Sequence, residues 1–83
     1  MKPLMHYGRM AEKHWRKHLP QMVATLEAEG RLHEVLQAVD EMTHFQMDLL
    51  RRRLIQQGRT PPEAQARAWG VVSEKFIFLP PEK

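Results

Sequence analysis

Residues 31–57 read RLHEVLQAVDEMTHFQMDLLRRRLIQQ, a run of 27 residues with neither Pro nor Gly. Its apolar residues Leu32, Val35, Leu36, Val39, Met42, Leu49, Leu50 and Leu54 recur in steps of three and four, the spacing of a helix that buries one stripe. At 1.5 Å per residue such a helix is about 40 Å long. A compact chain of this size has a radius of gyration of roughly 12 Å and is about 30 Å across. The run is therefore expected to span the fold and overhang it.

Outward from this helix, Gly30 and Gly58 stand where left-handed residues close helices. Before it, Gly8 to His18 predicts a first helix. Pro20 disfavours helical geometry at Leu19 and has no amide hydrogen, so a break is expected there. A second piece then starts at Pro20 and runs to about Glu29. Trp15, Leu19, Met22, Val23 and Leu26 keep helical spacing across the break, so both pieces face one core, and the second folds back on the long helix. After Gly58, Thr60-Pro61-Pro62-Glu63 combines a cap, a proline at the first turn and a capping-box glutamate. A third major helix follows to about Lys75, with Ala64, Ala68, Trp69, Val72 and Phe76 on one face. Residues 1–7 read as an N-terminal arm. Residues 76–83 read as an apolar, then Pro-rich tail, beginning as a last helical turn or docked on the core.

The expectation is one all-α domain over residues 1–83. It is a small bundle of three major helices, the first broken at Pro20, around a long central helix. Trp15, Leu26, Leu32, Leu36, Val39, Leu50, Trp69, Val72 and Phe76 are its expected core. Eighty-three residues leave a marginal core, and with no cysteine there is no disulfide to help it. Self-association is the remaining aid, and Leu49, Leu50, Leu54 and Ile55 are the candidate surface for a homodimer. No apolar stretch approaches 18 residues, so no membrane span is expected and a cytoplasmic location is.

Charge is segregated. Residues 1–19 carry five cations against Glu12. Residues 20–50 carry six acids against Arg31, and residues 51–59 carry four arginines. Arg9, Lys13, Arg16 and Lys17 make a cationic strip on the first helix, the kind that binds duplex DNA through phosphate contacts and counterion release. Arg51, Arg52 and Arg53 add a second candidate contact, although cations in a last turn also answer the helix dipole. The other reading of both groups is a solvated surface, with any partner a protein.

Catalysis is not expected. The single serine, Ser73, has no nucleophile-elbow context, and there is neither a Gly-rich phosphate loop nor a paired-carboxylate motif. Glu34, Asp40, Glu41 and His44 are the nearest approach to acid–base chemistry, and neighbours on a helix point apart. His14 and His18 have the spacing of two ligands on one helix face, but no HExxH pattern or cysteine completes a metal site. No cofactor, metal or small-molecule substrate is expected.

Tyr7-Gly8-Arg9-Met10, Lys17-His18-Leu19-Pro20, Gly30-Arg31-Leu32-His33, Val39-Asp40-Glu41 and Val71-Val72-Ser73-Glu74-Lys75-Phe76-Ile77 together resemble the TnpV family. These are small proteins encoded on mobile elements, with a YGxxR-like start, a turn of G-K-L type and an acidic I-D-E helix. At His18-Leu19-Pro20 this chain lacks the family's Arg before Pro. The resemblance implies an accessory role on a mobile element and carries over no catalytic residues.

Overall fold

The computed structural model describes residues 5–82. They form α1 (His6–His18), α2 (Pro20–Ala28), α3 (Leu32–Gln56) and α4 (Pro61–Phe76), with no strand among them. The all-α bundle is thus four helices, because the break ahead of Pro20 separates α1 from α2. Leu19 sits at φ −131°, ψ 51°, outside the helical region its neighbour's ring disfavours. At 25 residues α3 is about 37 Å long. It runs through a molecule measuring 46 × 32 × 13 Å with a radius of gyration of 14.3 Å.

The helix ends follow the local signals. Gly30 (φ 69°) and Gly58 (φ 96°) are left-handed. Past them, Arg31 N–H donates to Leu26 O and Arg59 N–H to Leu54 O, so α2 and α3 close with the same capping turn. At α4, Thr60 Oγ1 accepts from the Glu63 N–H at 3.4 Å. The return half of the expected capping box is replaced, because the Glu63 carboxylate turns to Arg59 at 3.7 Å.

Neither α1 nor α2 has a side-chain cap of its own. Distant carboxylates supply both. Asp40 of α3, 4 % exposed, accepts the Gly8 N–H at 2.7 Å through Oδ2. Glu82 accepts from Met22 N–H at 2.9 Å and from Gln21 N–H at 3.3 Å. The first of these moves a boundary. With Asp40 holding its first turn, α1 begins at His6, ahead of Gly8, so Tyr7 belongs to the helix rather than to an arm. Residues 1–4 of the expected arm and Lys83 of the expected tail lie outside the described residues.

Two apolar clusters make the core. Ala11, Trp15, Leu19, Val23, Leu32, Leu36 and Ile77 form one, and Met47, Ala68 and Val72 the other. Tyr7, Trp69 and Phe76 pack against both and join them. Of the expected core, Trp15, Leu32, Leu36 and Val72 are buried, while Leu26, Val39, Leu50, Trp69 and Phe76 are half-buried against the clusters. Ala11, Ala64, Ala68 and Ile77 are fully buried.

After Phe76 the chain leaves the helix and docks along α1, the second of the two readings of the tail. Trp15 Nε1–H donates to Ile77 O at 3.0 Å, His14 Nε2 meets Leu79 O at 3.0 Å, and the Glu82 N–H donates to His18 O. The tail therefore straps α1 to α2 across the Leu19–Pro20 break.

Candidate nucleic-acid interface

α1 turns Gly8, Ala11 and Trp15 into the core, so residues on its opposite side face water. Arg9, Lys13 and Lys17 lie there, all exposed, and none forms an ion pair with another described residue. Arg16 leaves the strip. Its Nη2 and Nε reach Glu12 at 2.9 and 3.1 Å, and its Nη1 reaches Glu27 of α2 at 3.5 Å. The hydrogen bond to Glu12 and the nearby carboxylates raise the Arg16 pKa further. The cause is the i,i+4 geometry, which sets a carboxylate beside the guanidinium on a common helix face.

The other arginine group is divided in the same way. Arg51 and Arg52 share Asp48, at 3.0 and 2.9 Å. Arg53 forms no ion pair among the described residues and sits in the last turn of α3. With two of its three arginines held to one acid, this group leaves Arg53 as its single open cation, against three on the α1 face.

Beside that face lies a groove of about 370 Å³ lined by Met10, Lys13, His14, Lys17, His18 and Phe78. The docked tail builds its far wall. Phe78 stands edge-on to His14 (5.2 Å between ring centroids) and to Trp69 (6.1 Å), and is 39 % exposed. Two lysines thus flank an open aromatic edge, and unpaired bases stack on such rings. Phe78 was not a candidate from sequence, since only the fold of the tail sets it beside His14.

His14 and His18 have ring centroids 4.5 Å apart. Among the described residues, no group of three or more His, Asp or Glu could hold a metal ion. Asp40 Oδ1 lies 3.3 Å from His44 Nε2, and His44 packs edge-on to Tyr7 at 4.6 Å. The second Asp40 oxygen is committed to the α1 amide, and Ser73 is buried at 4 % exposure. The pair serves as a clasp between α3 and α1.

The candidate interface residues separate. Leu50 packs against the Met47–Ala68–Val72 cluster and Leu54 is half-buried, while Leu49 and Ile55 are 44 % and 41 % exposed. The single apolar stripe expected of α3 is in fact two. The buried one contains Leu32, Leu36 and Met47, with Asp40 and Thr43 on the same line. Met42 and Leu49 belong to an outer one with Phe45, which is 61 % exposed.

No helix among the described residues is long and apolar enough to cross a membrane. No protein-family model, curated protein or solved structure matches this chain.

Proposed function

We propose that this chain is a non-enzymatic accessory protein that contacts DNA phosphates through the outer face of α1. The observation that carries the reading is the set of three open cations, Arg9, Lys13 and Lys17, on one side of a single helix. Acids elsewhere hold Arg16, Arg51 and Arg52 and leave these three alone. Successive turns of a helix are about 5.4 Å apart, so the three charges follow a phosphate backbone without rearrangement. The resemblance to TnpV proteins supports a mobile element as the setting.

Three phosphate contacts give a salt slope of about −2.7, so affinity for duplex DNA falls about 40-fold between 50 and 200 mM salt. Titration of fluorescently labelled duplex at both concentrations tests this. The Arg9→Ala/Lys13→Ala/Lys17→Ala variant is expected to lose binding and most of the salt slope. Arg16→Ala, whose charge is already spent on Glu12 and Glu27, should bind nearly as the parent does. Equal binding by the parent and the triple variant, or none by the parent at 50 mM salt, overturns the reading. A salt-independent apolar contact with a protein partner then takes its place.

A further inference from the structure

The groove beside the cationic face of α1 continues past Met10. Tyr7, Met10, His14 and Lys17 follow one another at steps of three, four and three, so they line one edge of α1 beside its buried residues. Met10 lies in two hollows at once. One, of about 370 Å³, reaches the tail at Phe78, and the other, of about 340 Å³, reaches α4 at Gln65 and Trp69. The rings behind them form an unbroken row. Tyr7 stacks on Trp69 at 5.5 Å, Trp69 stands edge-on to Phe78 at 6.1 Å, and Phe78 edge-on to His14 at 5.2 Å.

Phe78 is exposed on a backbone that is held on both sides. Ile77 O before it accepts from Trp15 Nε1–H, Leu79 O after it meets His14 Nε2, and its own N–H donates to Ser73 O at 2.7 Å. The open ring is thus set in place before anything fills the groove, which lowers the ordering cost of binding there.

Charge selects the occupant. Lys13 and Lys17 stand on the open lip, and neither forms an ion pair with another described residue. No acid lines either hollow. The acids of α1 and of the tail are held elsewhere, Glu12 by Arg16 and Glu82 by the amides of Gln21 and Met22. An occupant must therefore be anionic along one side and flat and aromatic along the other. A single strand of nucleic acid has both properties, whereas a duplex keeps its base faces inside the stack and offers the lip only phosphates.

We propose that this groove takes single-stranded DNA, with phosphates on Lys13 and Lys17 and bases against Phe78 and Trp69. The inference rests on the DNA contact proposed above and names the form of DNA that suits the groove. From Tyr7 to Lys17 the edge is about 15 Å long, room for about four phosphates of a stacked strand.

Three probes separate the readings: an oligothymidine of about ten nucleotides, an abasic strand of the same length, and a duplex of that length. Each is titrated by anisotropy and by tryptophan fluorescence. Trp15 is buried, so quenching reports Trp69 at the groove. Stacking predicts that the oligothymidine quenches and binds about tenfold more tightly than the abasic strand. Phe78→Leu keeps an apolar wall without the ring. It should lose most of that preference while keeping its duplex affinity and helical circular dichroism, and Phe78→Tyr should keep the preference. Equal affinity for the oligothymidine and the abasic strand overturns the stacking whatever the duplex does, and so does a preference retained in Phe78→Leu. A glutamate decapeptide that displaces the oligothymidine at equal concentration overturns it in favour of an acidic peptide. A duplex that fails to bind while the oligothymidine keeps its preference removes the duplex contact alone and leaves this inference standing. No binding by any probe overturns both.

Discussion

At the scale of residues, Gly8 and Asp40 form one device. Asp40 replaces a local cap for α1, and Gly8 lets the two backbones come close enough for it to do so. A Cβ at position 8 would meet Leu36 O at 3.2 Å and Asp40 Oδ2 at 3.3 Å. The Leu36 carbonyl is fixed in the α3 hydrogen-bond ladder, so it cannot yield easily. Alanine in a helix interior gains up to about 1 kcal/mol over glycine, but overpacking costs about 1–3 kcal/mol. Gly8→Ala is therefore expected to destabilise by about 1 kcal/mol in urea titration, and a stabilised variant would refute the close approach. Asp40→Ala leaves a buried amide without an acceptor, so a loss of about 2 kcal/mol is expected. His44→Ala, at a side chain 56 % exposed, should cost well under half of that. Equal losses would make the Asp40–His44 contact, rather than the cap, the source of stability. The meeting of Gly8 and Asp40, 32 residues apart, was not legible in the sequence. Asp40 reads as one more acid on an acidic helix until its place on the line of Leu36 and Met47 is seen.

At the scale of elements, Pro20, Gly30, Gly58 and the Thr60-Pro61 pair announced the breaks and ends, because each acts through its own backbone. The caps of α1 and α2 were invisible for the opposite reason. Their acceptors lie 32 and 60 residues away in sequence. The tail shows the same limit. Phe76-Ile77-Phe78-Leu79 has no helical or strand period, and its position comes from carbonyls that take the Trp15 and His14 ring nitrogens as partners. Glu82→Ala should lower stability by about 1 kcal/mol, the worth of an N-terminal cap, and Glu82→Gln by less. Amide exchange gives the sharper reading: Gln21 and Met22 should exchange faster in Glu82→Ala while the α4 amides do not. Unchanged exchange at those two amides would remove Glu82 from its capping role.

At the scale of the molecule, segregated charge and helical period were legible, but the side on which each helix packs was not. Two apolar stripes on one long helix merge in a linear reading, so Met42 and Leu49 were read on one stripe with Leu32 and Leu36. Only the placement of α1 and α4 on a common side separates them. The same placement yields two apolar clusters, which Tyr7 and Trp69 join by stacking at 5.5 Å. A shared wall of aromatic rings couples the two, so one cooperative transition is expected. Circular dichroism and tryptophan fluorescence should therefore trace coincident urea curves, and separated midpoints would mean that the clusters melt independently. The strap has one more consequence, and it concerns time. Chains are made from the N-terminus at about 5–20 residues per second, and Met22 must wait for an acceptor 60 residues downstream. For about 3–12 s the start of α2 is finished yet uncapped. Asp40 reaches Gly8 after little more than half as many residues, so during synthesis the clasp of α1 onto α3 closes before the strap can.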